Sequence, residues 1–313
     1  MLLKEISYYQ TGGSFEKLYS PSSIEELADT MGEINAMGSP YFLLGKGSNS
    51  LVMDEHWTGA VVTFNRMTDY TVNGNTLVAQ SGLENTRFAE ICLAESLAGA
   101  GWMNRLPGQL GGTVRMNARC YGGEISQIVE SISAVKKSGE IVTYDAQEAF
   151  QGYKQTRFMN SGEVIGEIRF SLKAGSQAEI EKQMSYCKTD REQKHQFLFP
   201  SCGCVFKNDY TIGVPSGLLL DAAGVRQLST ETVEISPFHA NFVFNKGATA
   251  REILETALHM REIVFETFGV WLAFEMEILG LVPEDLQRKV IELRKPNLQE
   301  GKLISLRKKF LSK

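Results

Sequence analysis

The stretch Phe199-Pro-Ser-Cys-Gly-Cys-Val-Phe-Lys-Asn208 gathers a thiol, an ammonium and a carboxamide within a few residues. Side chains on a strand alternate faces, so the stretch read as a strand turns Cys202 and Cys204 the same way and Val205 the other. Gly203 leaves its backbone open to close approach. Such a set can transfer a proton and hold an anionic substrate. The same residues also fit a core strand with buried cysteines, because free cysteine is among the most buried residue types.

Two glycine clusters offer a different chemistry. Gly45-Lys-Gly-Ser-Asn-Ser50 follows the apolar run Tyr41-Phe-Leu-Leu44. A loop of this kind aims successive backbone N–H groups at one point and forms an anion nest, here with Lys46 and Ser48 beside it. It is not a P-loop, and Ser50 at the third glycine position removes the dinucleotide fingerprint of a doubly wound fold. Pro107-Gly108, with Gly111-Gly112, makes a second such loop. Either cluster alone fits a tight turn. Two in one region favour a large phosphorylated cofactor such as a dinucleotide.

The elements that must position these residues come in mixed order. Ser22-Ser23 with Glu25-Glu26 reads as a capping box opening a short helix. Asn73-Gly74 between Tyr70-Thr-Val and Thr76-Leu-Val is a hairpin signal, and Ser131–Tyr144 is a second hairpin. Glu84–Ala98 reads as a helix. Ser176 with Glu179 caps a long polar helix towards Lys194, which reads as a connector. Thr249 with Glu252 opens a helix that Gly269 closes. Val270–Leu279 alternates as a strand with Glu275 on the face opposite Leu272 and Met276. Strands, hairpins and helices in this order argue for α+β over a regular parallel wind.

A chain of 313 residues exceeds one ordinary core, so two or three domains are expected. The net charge of −5 gives no electrostatic ground for nucleic-acid binding. No apolar run is long enough to span a bilayer, and the start, charged from Lys4, predicts no signal peptide. Five cysteines without framework spacing predict free thiols in a reducing cytoplasm. The cysteines and four histidines match no zinc spacing, so no metal is expected. Residues from Leu286 onward carry nine Lys or Arg against two acidic residues and read as a solvated or oligomer-contacting helix pair. Oligomeric state is left open.

Several motifs in order resemble the UDP-N-acetylenolpyruvoylglucosamine reductase (MurB) family. They are Leu44-Gly-Lys-Gly-Ser-Asn-Ser-Leu-Val52, Pro107-Gly-Gln-Leu-Gly-Gly-Thr-Val-Arg-Met-Asn-Ala118 with Tyr121-Gly122, Tyr153-Lys-Gln-Thr156, Pro200–Asn208, His239–Asn245, Ala248-Thr-Ala250 and Leu272-Ala-Phe-Glu-Met276. The absence of a tyrosine-bearing insertion before residue 200 makes the chain similar to the shorter family type. The resemblance implies an FAD-binding region of two α+β subdomains of the vanillyl-alcohol-oxidase (PCMH) type, followed by an α+β substrate domain. The implied segments are 1–68 and 69–175 for FAD, 176–195 as connecting helix, 196–282 for substrate and 283–313 as a basic tail beyond the usual family end.

It further implies an NADPH-driven, FAD-dependent reduction of the enolpyruvyl group of UDP-N-acetylglucosamine enolpyruvate. The product, UDP-N-acetylmuramate, feeds peptidoglycan synthesis in the cytoplasm. FAD would be held by Gly45, Lys46, Gly47, Ser48, Asn49, Ser50, Pro107, Gly108, Gly111, Gly112, Asn117, Tyr121, Gly122 and Ile165, and the UDP-sugar by Tyr121, Lys207, Asn208 and His239. Hydride addition to a vinyl ether carboxylate leaves negative charge that a cation and a hydrogen-bonding acid stabilise, and a positioned acid then protonates the carbon. The family uses an arginine, a glutamate and a serine. Carried over, these positions are Lys154, Glu275 and Cys204.

Two of the three depart from the pattern. A thiol, with an ordinary pKa of about 8.5, is a better proton donor than an alcohol. A lysine keeps the charge but loses the bidentate fork of arginine; Arg157, three residues on, is an alternative. Thr156 keeps a hydroxyl, Ala273 replaces an acidic residue, and Cys202 stands at a small packing position. The departures leave open a paralogous flavoenzyme for another nucleotide sugar, or a binding protein without turnover.

Overall fold

The structure is a computed structural model and describes residues 1–311. The chain divides into two compact units, one formed by Met1–Ser14, Gly47–Trp57 and the chain from Lys194 onward, the other by Phe15–Lys46 and Thr58–Gln193.

The second unit is built on a five-stranded antiparallel sheet in the order Ile141–Asp145, Val129–Val135, Val164–Ser171, Thr76–Gln80, Tyr70–Asn73. Gly74 takes φ +58° between the last two strands, the left-handed conformation that the hairpin signal requires. Alternation gives the sheet two apolar faces. Val135 and Val164 face the helix Ile24–Ala36, whose Ile24, Leu27, Met31 and Ile34 form one stripe. Ser23 caps that helix by accepting the Glu26 N–H. Ile132, Ala134, Ile168 and Phe170 belong to the other core, with Phe88, Ile91 and Cys92 from the helix Asn85–Ala94. Ile180, Met184 and Cys187 of the helix Gln177–Gln193 are buried in the same core, so this polar helix packs as well as connects. A three-stranded sheet, ordered Phe15–Tyr19, Trp57–Thr63, Tyr41–Leu44, ends at the first glycine cluster.

The first unit centres on the helix Ala250–Phe268, opened by the reciprocal Thr249–Glu252 capping box and closed by Gly269 at φ +69°. Around it lie the antiparallel pair Val233–Ile235 and Val243–Asn245 and the parallel pair Ser50–Val52 and Glu277–Leu279. Residues 199–208 do not form the continuous strand expected, and of 270–279 only Glu277–Leu279 is regular strand. The first departure has a local cause: Gly203 adopts φ +74°, which breaks the alternation between Cys202 and Cys204. A Cβ there would meet nothing within 4 Å, so this glycine serves the backbone angle and not a close approach.

The C-terminal segment differs from a solvated helix pair. Its helices Glu284–Ile291 and Glu300–Leu311 send Leu286, at 2% exposure, and Leu303, at 0%, into the core of the first unit. The charge run hid three buried leucines, the third being Leu306.

Candidate active site

In the first unit, the backbone around Cys204 is held on both sides. Cys204 bridges Phe242, and Phe206 bridges Phe274. The Asn241 side chain accepts the Phe206 N–H at 2.9 Å and donates to the Phe206 carbonyl at 2.8 Å, while the Asn241 carbonyl takes the Val205 N–H at 2.9 Å. On the other flank, the Lys207 N–H donates to the Ala273 carbonyl at 2.9 Å, and the Glu275 and Met276 N–H groups both reach the Val205 carbonyl, at 2.8 and 3.2 Å. Two donors on one acceptor describe a bulge, which leaves an extra residue in one strand and re-aims its side chain. Glu275 is that residue. It and Cys204 are both half-buried, and both lie close enough to Cys202 to help raise its thiol's pKa.

The two cysteines are not equivalent. Cys202 is buried beside Tyr9, and burial pushes its thiol well up. It stays protonated as packing. The Tyr9 hydroxyl donates to the Val243 carbonyl at 2.8 Å.

Residues Gly47–Ser50 belong to this same unit. The Asn49 amide donates to the Glu275 carbonyl at 2.9 Å, the Asn49 carbonyl accepts the Glu277 N–H at 2.9 Å, and Ser50 pairs with Glu277. The glycine loop is thus stitched to the Glu275 bulge, a link that neither motif announces alone. Lys207 is half-buried, and its ammonium has no partner among the described residues. The Asn208 side-chain oxygen accepts the Ser216 N–H at 2.9 Å, and Ser216 Oγ donates to the Lys207 carbonyl at 2.5 Å. That oxygen therefore serves the start of the helix Ser216–Ala222.

His239 lies nearby in sequence space with Asn241 and is held by its ring. Nδ1 accepts the Asn241 N–H at 3.3 Å, and the ring meets Phe242 edge-on. A Cβ on Gly217 would stand 2.9 Å from the ring, so glycine makes room for it. Burial, then the charges of Lys194 and Arg226, hold the imidazole below its ordinary value. The unfolded chain therefore binds a proton near an ordinary pKa of about 6.5 that the native ring refuses until lower pH. Stability from this group is present above the unfolded value and lost as pH falls through the folded one. His239→Gln is expected to flatten the decline in unfolding free energy between about pH 7 and pH 5.5; an unchanged slope in denaturant titrations would exclude the ring as its source.

The second unit holds Gly45, Lys46, the 107–122 region, Lys154 and Ile165. Its two glycine loops meet: a Cβ on Gly45 would stand 3.0 Å from Gln109 Oε1. Gly108, at φ +118°, gives its carbonyl to the Asn85 N–H at 3.1 Å. The Gly111 N–H donates to the Ser81 carbonyl at 2.8 Å, and a Cβ on Gly111 would lie 2.9 Å from Ser81 Cβ. Gly112 and Gly122 face open space. Lys46 pairs with Glu84 at 2.7 Å on the surface.

Around these loops four buried polar atoms have no partner: Ser81 Oγ, Asn85 Nδ2, Gln109 Oε1 and Asn117 Oδ1. Buried polar groups are normally satisfied, so donors and acceptors left over together call for a polar ligand. FAD fits, since its flavin ring and ribityl chain carry both kinds of group. Asn117 has its amide nitrogen fixed on Glu124 Oε1 at 2.8 Å and the Gly152 carbonyl at 3.0 Å, which aims its oxygen. Ser81, Asn85 and Gln109 were not legible as site residues; only Gln109, inside the second glycine motif, carried a signal. Ile165 is buried in the sheet opposite Ala134.

Tyr121 sits at φ +51° with its hydroxyl donating to Asp190 Oδ2 at 2.6 Å. Burial and Asp190 push that hydroxyl well up, so it remains a donor. Lys154, at φ +53°, turns the hairpin of Phe150–Gly152 and Gln155–Thr156, and its charge acts on Cys120, the neighbour of Tyr121. Arg157, the alternative three residues on, has partners of its own in this structure. Its guanidinium holds Glu163 at 3.1 Å and lies 3.5 Å over the Tyr144 ring. Among the described residues no group of three or more His, Cys, Asp or Glu could hold a metal ion, and no helix is long and apolar enough to cross a membrane.

Comparison with known proteins gives the class first. Residues 16–145 match the FAD binding domain family, and residues 193–279 match the C-terminal domain of UDP-N-acetylenolpyruvoylglucosamine reductase. A flavin-binding α+β region followed by that domain defines an FAD-dependent oxidoreductase. The chain is 32% identical to the UDP-N-acetylenolpyruvoylglucosamine reductase of Clostridium perfringens strain 13, over 89% of this chain and 91% of that one. It is 34% identical to the enzyme of Exiguobacterium sibiricum over the same shares. The crystal structure of the MurB enzyme from Thermus caldophilus superposes with a TM-score of 0.75 at 28% identity, covering 90% of this chain and 98% of that one. This chain belongs to the UDP-N-acetylenolpyruvoylglucosamine reductase family.

Proposed function

We propose that Cys204 is the proton donor, and Glu275 with Lys154 the charge-stabilising groups, in the FAD-dependent, NADPH-driven reduction of UDP-N-acetylglucosamine enolpyruvate to UDP-N-acetylmuramate. The observation that carries this reading is the Glu275 bulge, bonded through its main chain to the residue next to Cys204. Bound FAD would supply the hydride, with NADPH as its source. The hydride enters the terminal vinyl carbon, the double-bond electrons move to the neighbouring carbon and its carboxylate, and the Cys204 Sγ–H gives that carbon its proton. Glu275 hydrogen-bonds the developing enolate. Lys154 supplies a positive charge, and Lys207 and Asn208 with His239 and Tyr121 hold the UDP-sugar. FAD is held by the glycine loops, by Tyr121 and by the aimed atoms of Gln109 and Asn117.

The matched ranges 16–145 and 193–279 support an FAD region within 1–175 and a substrate region within 196–282, although residues 1–14 and 47–57 pack with the latter. A cytoplasmic location follows from a substrate of nucleotide-sugar class.

The test is the oxidative half-reaction: reduced enzyme mixed with UDP-N-acetylglucosamine enolpyruvate reoxidises in a single fast phase. Protein that takes up no FAD, or is reduced by NADPH and not reoxidised by this substrate, overturns the reading. Lys154→Arg is expected to retain or raise turnover, because a guanidinium adds the bidentate carboxylate grip that an ammonium lacks. A collapse of turnover with flavin reduction intact would place a different anion, or none, at Lys154.

A further inference from the structure

We propose that the C-terminal segment, residues 283–311, is a strap that positions both the Glu275 bulge and the turn after Lys207-Asn208, with Arg261, Arg294 and Arg307 as positioning residues for the reaction. The inference rests on the role of Glu275 proposed above. The segment lies beyond residue 279, where the match to the reductase C-terminal domain ends.

Its attachment is main chain to main chain at the end of the long helix. The Asn297 N–H donates to the Gly269 carbonyl at 2.8 Å, and the Gln299 N–H to the Phe268 carbonyl at 2.9 Å. Gly269 admits this contact, since a Cβ there would lie 1.6 Å from the Asn297 carbonyl oxygen. From that anchor the strap grips Trp271. The indole Nε1 donates to the Glu292 carbonyl at 2.9 Å. Arg294 lies 4.5 Å over the indole and forks onto Glu262 at 2.6 and 2.9 Å. Arg261 lies 4.2 Å over the same ring, and it donates to the Lys289 carbonyl.

Arg261 also continues the chain of contacts towards the site. It lies 4.9 Å over the Phe274 ring, and Phe274 stacks on Phe206 at 5.2 Å and 18°. Phe274 precedes Glu275, and Phe206 precedes Lys207. At the far end of the strap, Arg307 Nε donates to the Ile212 carbonyl at 2.8 Å, in the turn that follows Asn208. The two strap contacts therefore bracket the substrate-holding stretch and the bulge opposite it. A misplacement of about 1 Å at a reacting group costs on the order of a hundred-fold in rate, so a strap distant from the chemistry still acts on it.

The experiment uses full-length enzyme carrying Arg294→Gln, Arg307→Gln or both, beside wild type. Expected is a fall of about ten-fold to a hundred-fold in kcat of the oxidative half-reaction, with flavin reduction by NADPH unchanged. Amide exchange should rise at Glu275 and Met276, whose N–H groups bond Val205. The double variant Glu262→Arg with Arg294→Glu restores the fork in reverse and should recover part of the loss. Equal loss in both half-reactions, or exchange that rises at the strap with kcat unchanged, overturns the strap while the reductase reading stands. Wild type that NADPH reduces and the substrate does not reoxidise overturns the reading, and the strap with it.

Discussion

Cys204→Ala is expected to leave reduction of the bound flavin by NADPH within about two-fold of wild type and to slow reoxidation by UDP-N-acetylglucosamine enolpyruvate about 10²- to 10⁴-fold, the usual contribution of a positioned general acid. The split follows from place. Cys204 sits with Glu275 and Lys207 in the first unit, whereas the orphaned atoms that call for FAD sit in the second. Removing the sulfur deletes a half-buried side chain and leaves the clamps from Asn241 and Ala273 intact, so folding should be little changed. Cys204→Ser should recover most of the rate, since a hydroxyl keeps a proton donor on the same stem. Stopped-flow traces of the two half-reactions decide the matter. Equal loss in both would move Cys204 out of the proton-transfer role.

Gly123→Ala should be strongly damaging to the second unit. A Cβ at this position would lie 2.2 Å from Trp102 Cδ1 and 2.5 Å from Nε1. The indole cannot step aside: it is 1% exposed, and its Nε1 donates to the Gly99 carbonyl at 3.0 Å. Overpacking of a filled core costs about 1–3 kcal/mol and sometimes more, so a fall of about 3–10 °C in Tm is expected for a unit of this size. Position 123 follows Tyr121-Gly122 and pairs through Cys120, so the loop assigned to FAD moves with it. Lower flavin content in purified protein should accompany the lower Tm. Full flavin occupancy at unchanged Tm would show that the indole yields more readily than its burial implies.

Local signals reached far into this fold because they rest on chemistry within a few residues. The Ser23 and Thr249 caps, the Gly269 stop and the Gly74 turn are each decided by their own backbone, and each is found at its expected place. The glycine clusters are loops for the same reason. What stayed hidden depends on partners far along the chain. Glu275 reads as one residue of an alternating strand, and only the Val205 carbonyl, seventy positions earlier, turns it into a bulge. Asn49 belongs to a glycine motif, yet its amide is spent on Glu275. The tail reads as solvated because, from Leu286 onward, nine Lys and Arg stand against two acidic residues. Three leucines and three stacked or forked arginine contacts outweigh that charge, and neither feature has a periodicity that a short segment displays.

The discontinuity of the first unit bears on the order of folding. Within its residues 1–14, Tyr9 is held by partners more than two hundred positions away: the Asn245 amide donates to the Tyr9 carbonyl at 2.9 Å, and the Tyr9 hydroxyl bonds Val243. Synthesis proceeds from the N-terminus, and domains generally fold as units once their residues have emerged. The second unit is complete when Gln193 leaves the ribosome. Residues 11–14 can meet 52–57 early, but the Tyr9 contacts must wait until the 240s appear, and closing so long a loop is slow. Tyr9 is thus placed long after it is made. A released fragment ending near residue 200 should carry a protease-resistant body, with the chain around Tyr9 cleaved more readily than in the full chain.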